Sequence, residues 1–109
     1  MTLIDLNSDL GESWGVYSKG EDQAVLSVIT SANVACGYHA GDPTVMRDTL
    51  QTAKLRGVAV GAHPSYLDLP GFGRRRIVGD SLEVLERQIA YQIGALQGIA
   101  AITNTVVTH

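Results

Sequence analysis

Short apolar runs alternate with longer amphipathic segments along the chain, and this alternation restricts the folds it can adopt. Four runs have the length and composition of strands, at 3–7, 31–36, 58–62 and from 104 onward. Three intervening segments have the apolar spacing of helices, at 21–29, 42–57 and 80–101. This order of elements predicts an α/β protein in which parallel strands are joined by right-handed crossover helices.

Two of the predicted helices carry signals at their ends. Asp42 can cap the second helix, Pro43 suits its first position, and Gly57 suits the residue after its last turn. Asp80 and Glu83 have the spacing of a capping box at the start of the third helix. That helix also carries one predicted apolar stripe, formed by Leu82, Leu85, Ile89, Ile93 and Leu96.

Composition narrows the class of protein. The chain has 109 residues, which is enough for one domain, and a net charge of -3, which favours neither nucleic acid nor an anionic membrane as a partner. No apolar run approaches the roughly 20 residues of a membrane span. The N-terminal "MTLIDLNSDL" lacks the basic start of a signal peptide, and Cys36 is the only cysteine. We therefore expect a cytoplasmic protein without an internal disulfide.

Polar side chains gather where the predicted strands end. In parallel α/β folds, ligands bind at the carboxyl ends of the strands. The residues that follow the first three strands include an amide, acids and histidines, namely Asn7, Asp9, Glu12, His39, Asp42, His63 and, further on, Asp68. Carboxylates and imidazoles that converge in this way have the chemistry of a divalent-metal site or of a general acid–base site.

The same residues also have plainer interpretations. A histidine after a strand is often a turn residue with a satisfied hydrogen bond, and acids such as Asp9 and Glu12 are common in solvated loops. Asp42 fits a helix cap better than a ligand, and Cys36 fits a small buried apolar residue better than a nucleophile.

A glycine- and arginine-rich stretch, "GFGRRR", follows the third strand. Its glycines match neither a phosphate-binding loop nor a dinucleotide fingerprint. Arginines bind carboxylate or phosphate with two parallel hydrogen bonds, but they also form ordinary surface ion pairs. Three aromatic side chains either wall a small pocket or pack elsewhere, namely Tyr38, Tyr66 and Phe72.

Four stretches occur together in an order that resembles the LamB/YcsF family: "DLNSDLGESWG", "TSANVACGYHAGDP", "VAVGAHPSYLDLPGFGRR" and "YQIGAL". The resemblance implies that the strands and helices form the first part of a (β/α) barrel similar to that of polysaccharide deacetylases. It also implies that residues 1–109 are a single domain, the N-terminal portion of a longer α/β barrel. The family pattern continues with "KPHGALYN" beyond the point that His109 reaches, so the resemblance covers less than half of a full-length member.

The resemblance further implies a part in the ATP-dependent hydrolytic opening of 5-oxoproline (pyroglutamate) to L-glutamate, together with 5-oxoprolinase subunits B and C, which use the ATP. The family motifs place the catalytic role on Asp9, His39 and His63, which are also the candidate ligands of a divalent metal. Five residues are then expected to bind the small-molecule substrate, namely Asn7, Glu12, Asp42, Arg74 and Arg75.

Two alternatives remain at this stage. The same acid and histidines would serve a metal-dependent amide hydrolase or deacetylase, and a short chain would also serve as a non-catalytic binding or assembly fragment. An incomplete barrel exposes an open sheet edge, so we also expect association into a homo-oligomer.

Overall fold

Three short strands form the centre of the molecule in a computed structural model that describes residues 1–109. They are β1 (Asn7–Leu10), β2 (Ser31–Ala35) and β3 (Ala59–His63), and they lie parallel in the order β1-β2-β3. Each is joined to the next by a helix, α1 (Asp22–Leu26) and α2 (Pro43–Arg56), and α3 (Leu82–Ile102) follows β3. The predicted α/β fold with a parallel sheet and helices is therefore confirmed.

The first strand begins at Asn7 and not at Leu3, so its predicted position is wrong. Leu3 and Ile4 are exposed, and pairing starts where the Leu6 carbonyl accepts hydrogen bonds from the amides of Thr30 and Ser31. β1 buries one face, on which Leu10 enters the core, and its pairing with β2 sets where it begins.

Helix α2 has the predicted ends. A carboxylate oxygen of Asp42, Oδ1, accepts a hydrogen bond of 2.9 Å from the Val45 amide, and Pro43 is the first helical residue. Gly57 ends the helix with a φ of 68°, a left-handed conformation that favours glycine. The buried face consists of Met46, Thr49, Leu50 and Ala53.

Helix α3 differs from its prediction in both cap and stripe. Ser81, not Asp80, is the N-cap, and its hydroxyl accepts a hydrogen bond from the Val84 amide. The helix packs on α2 and β3, and its buried residues are Gln92, Leu96 and Ala100, whereas Leu82 is exposed. Leu96 of the predicted stripe is thus buried as expected, but the rest of the buried face is shifted, because the buried residues are spaced by four and include a glutamine.

The hydrophobic core lies between the helices and one face of the sheet. It includes Val34 and Val60 from the strands and Leu50 and Leu96 from the helices, all with at most 1% of their surface exposed. Cys36 belongs to this core with 3% exposure, and burial raises the pKa of its thiol to about 11. The interpretation of Cys36 as a buried apolar residue is thus confirmed.

The chain after α3 returns to the sheet beside β3. Val107 forms a parallel bridge with Val60, the Thr108 amide donates to the Val60 carbonyl, and the Ala62 amide donates to the His109 carbonyl. The imidazole of His109 lies against Gly61, where a side chain would collide with it. The predicted start of a fourth strand therefore appears as a single bridge. None of the helices combines the length and apolarity needed to cross a bilayer.

Candidate functional site

One acid and two histidines meet at the carboxyl ends of the strands. Glu12 lies two residues after β1, His39 lies in the loop after β2, and His63 is the last residue of β3. One carboxylate oxygen and one ring nitrogen from each histidine lie within 4.8 Å of one another. The two imidazole centroids are 4.7 Å apart, and His39 is 3% exposed. We call these three residues the Glu12–His39–His63 cluster.

Three imidazole nitrogens in this cluster are buried without a hydrogen-bond partner: both ring nitrogens of His39 and Nδ1 of His63. Buried polar atoms in proteins almost always have a partner, so these atoms are poised to bind something else. Burial, followed by the charges of His63 and Arg74, lowers the pKa of His39 to about 4, which leaves its imidazole neutral at pH 7.

The Glu12 carboxyl group has the opposite shift. Burial raises its pKa, and the nearby Asp9 carboxylate adds to the increase. A cation bound beside it would relieve both effects, since it favours the ionised carboxylate. Two neutral imidazoles and a carboxylate form the ligand set of many catalytic zinc sites, so the cluster fits a divalent metal.

Asp9 lies beside this cluster on the open face of the sheet. Its Oδ1 is 3.5 Å from Nδ1 of His63, a contact too long for a good hydrogen bond. The amide of Asn33 donates a hydrogen bond of 3.0 Å to the same oxygen and another of 2.8 Å to Oδ1 of Asn7. The Asn7 amide donates back to Asn33, so the two amides hold Asp9 towards His63.

Backbone contact between two loops brings Glu12 and His39 together. Gly41 has a φ of 81°, and a Cβ atom there would lie 2.8 Å from the Gly11 carbonyl oxygen and 3.1 Å from that of Ala35. Only glycine fits this approach without displacing the backbone. The glycine that follows His39 by two positions therefore sets the distance between the loops.

A buried carboxylate shapes the long loop between β3 and α3. Asp68 is 2% exposed and accepts hydrogen bonds from the amides of Gly71 and Arg75 and from Nε of Arg75, the last at 2.7 Å. The Arg75 guanidinium, together with these amides, holds the pKa of Asp68 below its usual range. Arg75 is thus committed to the loop, and the buried partner gives its ion pair a structural role.

That loop places Phe72 over the cluster. Phe72 has a φ of 56°, which is rare for a residue other than glycine, and its ring meets the His39 ring edge to face at a centroid distance of 5.1 Å. Lys19 Nζ lies 4.6 Å from the Phe72 ring centroid, and Cζ of Arg74 lies 5.9 Å from it. Two cations thus lie close to the Phe72 ring, which also covers one histidine.

Gln92 of α3 anchors the start of the same loop. Its side chain is fully buried, accepts a hydrogen bond of 2.8 Å from the Ser65 amide and donates one of 2.9 Å to the Ser65 carbonyl. Since Ser65 follows His63 by two residues, these bonds fix the chain directly after the histidine.

Two clefts adjoin the cluster, one lined by Gly73 and the other by Phe72. The first, the His63 cleft, has a volume of about 360 Å³ and is lined by His63, Pro64, Ser65, Tyr66, Gly73, Arg74, Leu85, Gln88 and Ile89. The second, the Glu12 cleft, has a volume of about 320 Å³ and is lined by Glu12, Trp14, Tyr17, Lys19, His39, Ala40, Leu69, Pro70 and Phe72. One cleft thus reaches His63 and the other reaches Glu12 and His39. Two of the three aromatic residues considered in the sequence, Tyr66 and Phe72, line these clefts.

The residues predicted from the sequence fall into two groups. Asp9 and Glu12 lie near both histidines, although the acid whose oxygen converges with them is Glu12, and Arg74 lines the His63 cleft. Asp42 and Arg75 have structural partners: the second oxygen of Asp42 accepts a hydrogen bond of 2.7 Å from the Gly15 amide. The capping role of Asp42 is confirmed, and its role in substrate binding stays a prediction.

Two residues at the site were not found by sequence reasoning. Asn33 is inside a small, apolar strand sequence, and only the register that sets it beside Asp9 reveals its role. Lys19 lies in a glycine-rich loop with no periodicity, and its approach to Phe72 depends on contacts far apart in sequence. The only sequence feature that could have indicated a role for Lys19 is its position among glycines and aromatic residues.

The parallel sheet, with acids and histidines at its carboxyl edge, defines an α/β protein with a candidate metal or acid–base centre. The sequence profile of the LamB/YcsF family matches residues 4–109, and the chain belongs to this family.

Several curated relatives are similar over nearly the whole chain. It is 58% identical over 106 residues to the 5-oxoprolinase A subunit of Nitrobacter hamburgensis, covering 97% of this chain and 42% of the relative. It is 55% identical over 109 residues to the 5-oxoprolinase A subunit 2 of Bradyrhizobium diazoefficiens, covering 100% of this chain and 43% of the relative. The chain therefore spans less than half the length of these relatives.

A solved structure has the same fold. The crystal structure of the lactam utilization protein from Thermus thermophilus superposes with a TM-score of 0.94 and 42% sequence identity. The superposition covers 99% of this chain and 43% of that protein. The arrangement of strands and helices described above is thus the arrangement of the corresponding part of that protein.

Proposed function

We propose that this chain acts as the N-terminal part of the A subunit of 5-oxoprolinase, in the ATP-dependent hydrolysis of 5-oxoproline to L-glutamate. In this proposal residues 1–109 are a single domain of a longer (β/α) barrel, and subunits B and C are the partners that use ATP. The relatives named as A subunits of 5-oxoprolinase support the reaction, and the lactam utilization protein supports a cyclic amide as the substrate.

The observation that carries the proposal is the Glu12–His39–His63 cluster. A lactam is a stable amide, and its hydrolysis requires activation of water and stabilisation of the charge that develops on the carbonyl oxygen. The imidazoles of buried His39 and half-buried His63, together with two carboxylates, have groups for both tasks, and the two clefts give small molecules access to them.

The residues have distinct roles in this proposal. Asp9, which Asn33 holds towards His63, acts as the general base towards water. His39 and His63 stabilise the developing negative charge. Arg74, exposed in the His63 cleft and in no ion pair, binds an anionic group such as a phosphoryl group.

A divalent metal fits the same cluster because three buried imidazole nitrogens have no partner. Glu12, His39 and His63 would hold it, and it would supply Lewis-acid polarisation of the amide carbonyl. Asp9 is the fourth candidate, since its carboxylate already approaches His63.

The test is a reconstituted assay of glutamate release from 5-oxoproline, with ATP and subunits B and C. We expect His63→Ala and Glu12→Gln to lower turnover by about 100-fold or more, because His63 stabilises the developing charge and Glu12 would hold the metal. Glu86→Gln, which changes an exposed glutamate of α3, is the matched control and should leave turnover unchanged. Normal turnover in both cluster variants would show that the site lies elsewhere.

The same assay separates the alternatives. Glutamate release that needs added zinc but no ATP would favour a metal-dependent amide hydrolase, for which the cluster is equally suited. Binding of 5-oxoproline without release of glutamate, even with ATP and both partner subunits, would favour a non-catalytic binding or assembly module.

A further inference from the structure

Lys19 holds an ammonium group at the mouth of the Glu12 cleft. Its Nζ lies 4.6 Å from the Phe72 ring centroid, and it takes part in no ion pair. The Lys19 amide donates a hydrogen bond of 2.9 Å to the Ser13 hydroxyl, which fixes the backbone of the loop. A cation–π contact with an aromatic ring does not neutralise the ammonium charge as an ion pair would. Lys19 can therefore still pair with an anion.

The charges in the Glu12 cleft require such a cation if an anion is to bind there. Glu12 lines the cleft, and Asp9 lies beside the same cluster, with its Oδ1 3.5 Å from Nδ1 of His63. A carboxylate entering beside these acids would be repelled unless a positive charge were near. Lys19 is the one lysine or arginine among the lining residues.

The other candidate cations are less suited to this position. Arg75 is bound to buried Asp68, so its guanidinium is already occupied. Arg74 lines the His63 cleft and not the Glu12 cleft. The two clefts therefore carry one cation outside any ion pair each, with His63 lining the first cleft and His39 the second.

The remaining walls of the Glu12 cleft suit a small ring. Trp14, Pro70 and Phe72 provide apolar and aromatic surface, while Glu12 and His39 provide the polar groups. Small-molecule sites typically combine apolar walls with a few convergent polar groups in this manner.

We infer that the Glu12 cleft binds a small cyclic amide bearing a carboxylate, and that Lys19 pairs with this carboxylate while the amide faces Glu12 and His39. The inference rests on the proposed function and deepens it, because it makes Lys19, which no motif indicated, the residue that selects acidic lactams. It leaves Arg74 for a second anionic group in the His63 cleft.

The experiment uses the whole protein as its gene encodes it, assayed with ATP and subunits B and C. The measured quantity is its KM for 5-oxoproline. Lys19→Met should raise KM by about 10- to 100-fold, the effect of losing a hydrogen bond to a charged group, with a smaller change in kcat. Lys19→Arg, which keeps the charge, should restore KM to within a few fold. Lys54→Met, at a lysine that only contacts the Thr103 carbonyl, is the matched control.

A second readout removes the carboxylate from the ligand instead of the cation from the protein. The carboxylate-free lactam 2-pyrrolidinone should inhibit the wild type and Lys19→Met with the same inhibition constant, which also shows that the variant's cleft is intact. An unchanged KM in Lys19→Met, or an inhibition constant that rises with KM, would overturn the assignment to Lys19 alone. Absence of wild-type turnover would instead overturn the proposed function, and this inference with it.

Discussion

Replacement of Gly41 by alanine tests how the loops that carry Glu12 and His39 are held together. The backbone there has a φ of 81°, which disfavours alanine by about 1 to 2 kcal/mol. The new Cβ would also lie 2.8 Å from the carbonyl oxygen of Gly11 and 3.1 Å from that of Ala35. Because both neighbours are backbone atoms, relief requires the two loops to separate.

The magnitude follows from these two terms. Overpacking in a well-packed region costs about 1 to 3 kcal/mol, so Gly41→Ala should lower the free energy of unfolding by about 2 to 5 kcal/mol in total. Gly57→Ala is the matched control: its φ is 68°, but no atom lies within 4 Å of the new Cβ. The control should lose only the conformational term, about 1 to 2 kcal/mol.

Urea unfolding followed by circular dichroism measures the difference. With an m-value of about 1.5 kcal/mol per M, Gly41→Ala should lower the midpoint by roughly 1 to 3 M. Zinc titration gives a second readout, in which Gly41→Ala weakens binding and Gly57→Ala does not. Equal midpoints for the two variants, with equal zinc affinity, would refute the claim that the close approach at Gly41 assembles the cluster.

Three other changes test the amide pair, the core and a buried carboxylate. Asn33→Ala should lower kcat by about tenfold or more because Asp9 loses the donor that orients it, and an unchanged kcat would exclude this role. Leu50→Ala, at a fully buried site, should lower the free energy of unfolding by about 2 to 5 kcal/mol in urea titrations. Since the Arg75 guanidinium and nearby amides lower the pKa of Asp68, its stabilisation is complete above the ordinary value of 3.8 and is lost as the pH falls below it. The melting temperature should therefore fall less steeply with acid in Asp68→Asn, and an identical pH profile would contradict this.

The sequence predicts the fold most accurately where local chemistry decides. Asp42, Pro43 and Gly57 bound α2 because a cap, a preset φ and a left-handed residue act within one helical turn. The prediction fails where packing decides: β1 begins at Asn7 because pairing with β2 fixes its register, and α3 buries Gln92 because a polar side chain can bond the loop backbone.

The candidate site shows the same division. The histidines at 39 and 63 are recognisable because each follows an apolar run, and topology then brings the ends of neighbouring strands together. The choice between Asp9 and Glu12 depends on loop geometry that no local pattern encodes. The role of Lys19 is still harder to predict from the sequence, since it arises from contact with Phe72, 53 positions later in the chain.

The burial of Cys36 allows the opening of the core to be followed by chemical labelling. Its thiol lies in the core directly after β2, donates to the Val34 carbonyl and is protonated at neutral pH. An alkylating reagent therefore reaches it only when the core around it opens. Because the chain has one cysteine, each molecule is labelled once, and the labelling rate measures how often this part of the core opens. A ligand that draws the loops after β1 and β2 together would lower the rate at which Cys36 is alkylated. The mass of the intact protein, measured over time, would show this change.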